Sequence, residues 1–229
     1  MKKLFLTLAV LFAFASLVNA QFKPTSGFSA EVNFRPLSAN PIQINDLRGR
    51  MFLNEKMAIR LGLSVNSLST TTNVAGAALT DPIEVTVNKC FVFGLTPGFE
   101  LHLGDFEKLS PYVGAEFGIG MKSASTTITN VGNVQSNKVV CEGIWGDLTN
   151  PAYTQVGFNL LTGVDYYIYK GLFMGAEVGF GFTSTSFKEV NVSTTVAATS
   201  VTTTQTTPGA KASNFGVNFN SAIRLGWSF

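Results

Sequence analysis

Apolar residues alternate with glycine or polar residues along most of this chain, and that two-residue period restricts the fold more than any other feature. The pattern is clearest in YVGAEFGIGM at 112–121 and FMGAEVGFGF at 173–182, which share the motif G-A-E-x-G-x-G. In each segment most large apolar residues lie on one face of an extended chain, and glutamate and glycine lie on the other. Neither segment leads into a helical pattern, so neither resembles a dinucleotide-binding turn. Both are predicted to be β-strands.

About eight segments carry this alternation. They lie at 28–35, 44–53, 57–65, 90–103, 112–121, 155–168, 172–182 and 214–229. Their lengths, roughly 8 to 15 residues, are close to that of a tilted membrane-spanning strand. Pro97 interrupts the fourth segment, where we expect a bend or a missing ladder hydrogen bond.

The first 20 residues, MKKLFLTLAVLFAFASLVNA, have the pattern of a secretory signal peptide. Lys2 and Lys3 precede an apolar run that is shorter than a spanning helix needs. We therefore predict a signal peptide at 1–20 and a mature domain at 21–229. Without the two lysines the chain has 14 basic and 14 acidic residues, so its net charge gives no support to a nucleic-acid partner.

The links between the segments alternate between short and long. NEK, GDFEKLS and YKG are short, whereas the links at 66–88, 123–154 and 184–213 are long and rich in Ser and Thr. Short turns at one end and long loops at the other are typical of bacterial outer-membrane barrels. We predict an all-β fold: an eight-stranded antiparallel up-and-down transmembrane β-barrel. The alternative is a soluble β-sandwich, in which the apolar faces pack against a second sheet.

The interior of an eight-stranded barrel is just wide enough for side chains, so inward positions must combine large charged residues with very small ones. Glu116 and Glu177 are expected to face inward, where neighbouring glycines leave room for long side chains. Buried charges need partners. The predicted interior charge network consists of Arg48, Arg50, Arg60, Glu116, Asp165, Glu177 and Arg224.

With its signal peptide, eight alternating segments and a final segment ending IRLGWSF, the chain resembles the small eight-stranded outer-membrane β-barrel proteins, the OmpA-like, OmpX-like and opacity-type group. The resemblance implies a Gram-negative outer-membrane location, in contact with outer-membrane lipid and lipopolysaccharide. It also implies that the barrel assembly machinery reads a signal formed by Ile223, Leu225, Trp227 and Phe229.

Candidate chemistry is sparse in this sequence. Cys90 and Cys141 are the only cysteines, and an even count in an exported chain permits a disulfide that would hold a long loop to the barrel rim. Two free thiols or a metal site are the alternatives. His102 is the only imidazole and is predicted at the end opposite the long loops, away from the rim where a catalytic site would lie. We expect no enzyme and no cofactor.

The Ser- and Thr-rich links are expected either to extend the strands into a surface that binds a partner protein, or to be hydrophilic, partly mobile loops. The sequence thus favours a structural or surface-interaction role. The alternative is a narrow channel or transporter for small solutes or hydrophobic molecules, since inward glycines and the bend at Pro97 would leave a narrow lumen or a lateral opening. An outer-membrane enzyme is the third hypothesis.

Overall fold

The structure is a computed structural model that describes residues 26–34, 42–75, 78, 81–104, 107–146, 150–219 and 223–229. The predicted signal peptide lies outside the described residues. The fold is all-β and antiparallel, which confirms the predicted fold class at that level. Its strands are β1 Gly27–Phe34, β2 Ile42–Asn54, β3 Met57–Val74, β4 Glu84–His102, β5 Leu109–Thr129, β6 Lys138–Glu142, β7 Tyr153–Tyr169, β8 Leu172–Phe187, β9 Val190–Val196, β10 Val201–Thr207, β11 Lys211–Phe219 and β12 Ile223–Ser228.

Eight of these strands pair in a series that returns to its starting point. Neighbouring strands pair from β1 through β5, then β5 pairs with β7 and β7 with β8. β8 pairs with β12, and β12 pairs with β1. We call β1, β2, β3, β4, β5, β7, β8 and β12 the ring strands.

The described residues form twelve strands where the sequence predicted eight: three of the additional strands lie in the long links, and the fourth arises because the predicted last strand is divided. β6, β9 and β10 form within the links at 123–154 and 184–213. The predicted last strand is divided into β11 and β12, which both pair with β8. β3, β4 and β5 also continue well beyond their predicted ends. These extensions are rich in Thr and Val, which favour strands once a neighbour supplies the hydrogen-bond partners.

The sheet branches at the C-terminal end of β5. Residues 109–122 of β5 pair with β7, but residues 125–129 pair with β6 instead. β6 then pairs with β9, and β9 pairs with β10. The long-link end of the molecule therefore carries an extension of the same sheet, formed by β6, β9 and β10 and continuous with β5.

The two faces of the ring strands differ as the alternation predicts. On β5, Val113, Phe117 and Ile119 are exposed, whereas Tyr112 on the opposite face is fully buried. On β8, Met174 and Phe180 are exposed and Glu177 is buried. The large apolar side chains thus lie outside and the charged ones are covered, which reverses the usual distribution in water-soluble proteins.

The connections keep the predicted asymmetry. Two-residue turns at 55–56 and 170–171 join β2 to β3 and β7 to β8. The pairing of β4 with β5 omits Thr96 and Pro97, which confirms the expected interruption of the ladder at the proline. Among the described residues, no helix has the length and apolar character needed to cross a membrane.

Candidate functional site

Nine charged side chains meet on the covered face of the ring strands. Each ring strand contributes at least one of them, and four are basic and five acidic. We call this group the charge cluster; its members are Glu31, Arg48, Arg50, Arg60, Glu100, Glu116, Asp165, Glu177 and Arg224.

Arg50 on β2 lies at the centre of the charge cluster, and its side chain is 0% exposed. Its Nη1 lies 2.6 Å from Asp165 Oδ2 and 3.2 Å from Glu100 Oε2. Its Nη2 lies 3.3 Å from Glu31 Oε2. One guanidinium therefore connects strands β1, β4 and β7. The planar fork of arginine donors suits such multiple pairing.

Arg60 and Arg224 extend the pairing to the remaining strands. Arg60 Nη1 lies 2.8 Å from both Glu100 Oε1 and Glu177 Oε2, and its Nη2 lies 3.2 Å from Glu116 Oε2. Arg224 on β12 contacts Asp165 at 2.8 Å and Glu31 at 3.1 Å. Every basic group in the cluster thus has at least two carboxylate partners, as burial of charge requires.

Arg48 is the most exposed member of the cluster, with 19% of its side chain accessible. Its Nη1 lies 3.3 Å from Glu31 and 3.4 Å from Glu177. Arg48 has no contact as short as the 2.6 Å pair of Arg50 with Asp165 or the 2.8 Å pairs of Arg60, and solvent reaches one side of its guanidinium. Arg48 therefore lies at the edge of the network.

The glycines of the repeated motif make space for these charged groups. A Cβ on Gly175 would meet the Asp165 carboxylate and lie 2.6 Å from Arg224 Nη2. A Cβ on Gly114 would lie 2.8 Å from Leu161 Cδ1 and would also meet the backbone of β4. Gly118 is different, because its nearest neighbour would be Thr96 Cγ2 at 3.4 Å. The first two glycines are required by packing, and Gly118 borders open space.

Buried rings cover the charge cluster on the side of the short turns. Phe52, His102, Tyr112, Tyr167 and Phe173 form this aromatic layer, and each is at most 3% exposed. Tyr112 donates a 2.7 Å hydrogen bond from its hydroxyl to Glu177 Oε2. The Arg50 guanidinium lies 4.8 Å from the centre of the Phe173 ring, a favourable cation–π arrangement.

His102 lies between a hydroxyl and a carboxylate, in the order that a nucleophile, base and acid would take. Its Nδ1 is 2.8 Å from Ser110 Oγ, and its Nε2 is 3.3 Å from Glu100 Oε2. All three residues are at most 2% exposed, and Glu100 is also held by Arg50 and Arg60. A substrate has no access to the Ser110 hydroxyl, so this trio supports packing better than catalysis. Among the described residues, no group of three or more His, Cys, Asp or Glu side chains is arranged to hold a metal ion.

A cavity of about 210 Å³ lies on the long-link side of the charge cluster. Glycines and uncharged polar side chains line much of it, including Ser64, Thr96, Gln155, Asn159 and Thr183. Asn159 also donates a 3.3 Å hydrogen bond to Glu116 Oε1, which connects the cavity wall with the cluster. This space suits water or a small neutral polar molecule, because no charged side chain lines it.

The structure brings together all seven residues of the predicted charge network. It also adds Glu31, Glu100, His102 and Tyr112, which sequence reasoning did not include. Glu31 and Glu100 were detectable in principle, since each lies in the polar phase of an alternating segment. Three residues of the predicted assembly signal, Ile223, Leu225 and Trp227, lie on β12, and the fourth, Phe229, follows it. Ile223 and Phe229 are exposed, and Trp227 is half-buried.

The disulfide that the sequence permits between Cys90 and Cys141 is not formed, and both thiols are free, which was one of the alternatives. Cys90 pairs across β4 and β5 with Ala124, and Cys141 pairs across β6 and β5 with Thr126. β5 therefore lies between the two cysteines, and their partners on it are two residues apart, which together separate the two Cα atoms by about 12 Å. A disulfide requires Cα atoms within about 7 Å. The thiol of Cys141 is half-buried, and burial raises its pKa above the usual value.

Comparison with known proteins assigns no family. No family model matches the sequence, and no curated protein matches it.

Proposed function

We propose that the ring strands form a closed, eight-stranded up-and-down barrel that crosses the outer membrane. The observation that carries this proposal is the reversed distribution of side chains. Charged groups such as Arg50 and Asp165 are buried, while apolar side chains such as Phe158 and Leu160 are about half exposed. In water such a surface would be unfavourable, but in a bilayer the exposed apolar side chains face hydrocarbon.

The extent of the apolar surface supports a bilayer environment. Exposed apolar residues reach from Phe91 on β4 to Leu103, the residue that follows β4, from Leu109 to Met121 on β5, and from Val156 to Ile168 on β7. Each span covers the same number of positions, and at the usual strand rise and tilt it corresponds to a band about 30 Å tall. That height matches the hydrocarbon thickness of a bilayer.

The soluble β-sandwich is disfavoured because all twelve described strands belong to one sheet. A sandwich needs a second sheet to cover its apolar face. Here the apolar faces of Val113 on β5 and Met174 on β8 remain exposed, and no second layer of described residues packs on them.

A structural and surface-interaction role fits the rest of the molecule better than transport or catalysis. The charge cluster and the aromatic layer are buried on the short-turn side of the covered face, which disfavours a water-filled path through the described residues. The sheet that contains β6, β9 and β10 projects at the other end, where long loops face outward in barrels of this class. The partners implied are outer-membrane lipid and lipopolysaccharide, the barrel assembly machinery and a surface protein.

Heat modifiability tests the barrel. The purified outer-membrane fraction is run on a detergent gel with and without boiling, and the unboiled protein is expected to migrate faster because a closed barrel stays compact in detergent. A variant carrying Arg50→Met provides the control, since loss of the central guanidinium should lower the temperature at which the shift occurs. Recovery of the wild-type chain in the soluble fraction, with no shift on boiling, would refute the proposal.

A further inference from the structure

β10 ends the sheet at the long-link side of the molecule. The strand order runs β5, β6, β9, β10, and no described strand pairs with the outer edge of β10. All seven residues from Val201 to Thr207 are exposed. The outer edge of β10 therefore offers unpaired backbone N–H and C=O groups to solvent.

Proteins usually protect such an edge with charged residues, proline or a bulge. β10 has none of these features: its sequence is VTTTQTT, and it pairs with β9 over seven consecutive residues without a register shift. The whole β9–β10 hairpin, residues 190–207, contains no charged residue. Nothing in its sequence repels an approaching strand.

The sequence of β10 is complementary to itself in the antiparallel direction. If Thr204 lies opposite its own copy, Thr202 lies opposite Thr206 and Thr203 lies opposite Gln205. One face of the new ladder would then consist only of Thr–Thr pairs, which are favourable across strands. The same face already carries hydroxyl pairs within the hairpin, at 2.9 Å between Thr195 and Thr202 and at 3.0 Å between Ser193 and Thr204.

We propose that β10 binds β10 of a second copy of this chain, in an antiparallel pair centred on Thr204. The proposal rests on the surface-interaction role proposed above and names the partner. A two-fold pair of this kind is isologous, so the same strand edge serves both copies and the assembly closes as a dimer. Both contributing edges become paired, which removes the exposed edge that each copy carries alone.

Cysteine cross-linking tests the register of the pair in the full-length protein, purified in detergent. Cys90 and Cys141 are first replaced by Ser, and then Thr204→Cys and Val201→Cys are made separately. T204C is expected to form a covalent dimer on mild oxidation, because directly opposed Cβ atoms lie about 5 Å apart. V201C is the matched control on the same edge: its counterpart lies six residues away along the ladder, so it should remain monomeric.

Charged substitutions on β10 then test whether the outer edge of this strand makes the contact between the two copies. Thr203→Lys with Gln205→Lys places like charges opposite each other and should reduce the T204C cross-link at least about tenfold. Thr203→Glu with Gln205→Glu should do the same. Mixing the two variants should restore the cross-link, because each lysine then faces a glutamate. These positions lie on the face opposite the hydroxyl pairs of the hairpin, so β9 and β10 stay paired.

Equal cross-linking of T204C and V201C, or no cross-linking of either, would overturn the proposal. So would a T204C adduct with a protein other than this chain, because the edge would then bind a different partner. The heat-induced gel shift is measured on the T204C chain that lacks the lysine and glutamate substitutions. A normal shift of that chain without a covalent dimer refutes self-pairing alone, whereas absence of the shift in the wild-type chain refutes the barrel.

Discussion

At the scale of single residues, the charge cluster explains why glutamate and glycine recur together in the sequence. Asp165 and Arg224 approach within 2.8 Å beside Gly175, where any side chain would displace them. A buried charge is tolerable only when it is paired, so each carboxylate depends on a guanidinium from a strand distant in sequence. The contribution of each guanidinium–carboxylate pair to stability depends on how deeply the pair is buried and on the distances between its atoms.

Arg50 and Arg48 provide a matched pair that tests this argument. Arg50→Met leaves Glu31, Glu100 and Asp165 without a shared cation in a fully buried site, and we expect a loss of about 3–5 kcal/mol in the free energy of unfolding. Arg48→Met removes a partly exposed guanidinium whose carboxylate contacts are 3.3 and 3.4 Å, and it should cost about 1 kcal/mol or less. Urea unfolding of the protein in detergent, followed by tryptophan fluorescence, measures both. Equal losses would show that the cluster is not organised around Arg50.

At the scale of strands, the two-residue period is local and therefore readable from the sequence. It places Val113 and Glu116 on opposite faces, because adjacent residues in any strand point in opposite directions. It does not set where a strand ends. β5 continues to Thr129 because β4 and β6 supply hydrogen-bond partners there, and those partners come from distant parts of the chain. The same holds for Arg50 and Asp165, whose contact depends on how the ring strands pair in register.

Because β6 lies beside β5, we predict that Cys90 and Cys141 are free thiols and that Cys141 is alkylated slowly. In a Cys90→Ser variant, the Cys141 thiol should be free without added reductant. It should react more slowly with iodoacetamide at pH 8 than an exposed thiol, because the thiolate is the reactive species and burial raises the pKa of this group. The rate of alkylation should continue to rise with pH at pH values above the usual pKa of a thiol. Mass spectrometry of the wild-type chain should show two alkylated cysteines, and a peptide linking Cys90 to Cys141 would contradict the pairing of β6 with β5.

At the scale of the whole molecule, the covered face of the eight ring strands carries the charge cluster at its centre, the aromatic layer at one end and a cavity at the other. The charge cluster draws on every ring strand, so it can form only when the first and last strands meet. Glu31 on β1 and Arg224 on β12 contact each other across that junction at 3.1 Å. We infer that the cluster contributes to closure as well as filling the interior of the proposed barrel.

A filled interior predicts that the protein does not conduct ions. The cavity of about 210 Å³ is connected with the charge cluster through Asn159, which lines it and hydrogen-bonds Glu116, and residues such as Tyr112 and Phe173 are buried. A continuous water-filled path would require the guanidinium–carboxylate pairs to separate, which leaves charges without partners. In planar lipid bilayers, wild-type protein should give no stepwise currents, whereas a general porin in the same preparation should. Regular unit conductance that persists after removal of contaminating porins would show that the interior opens, and the channel hypothesis would replace the structural one.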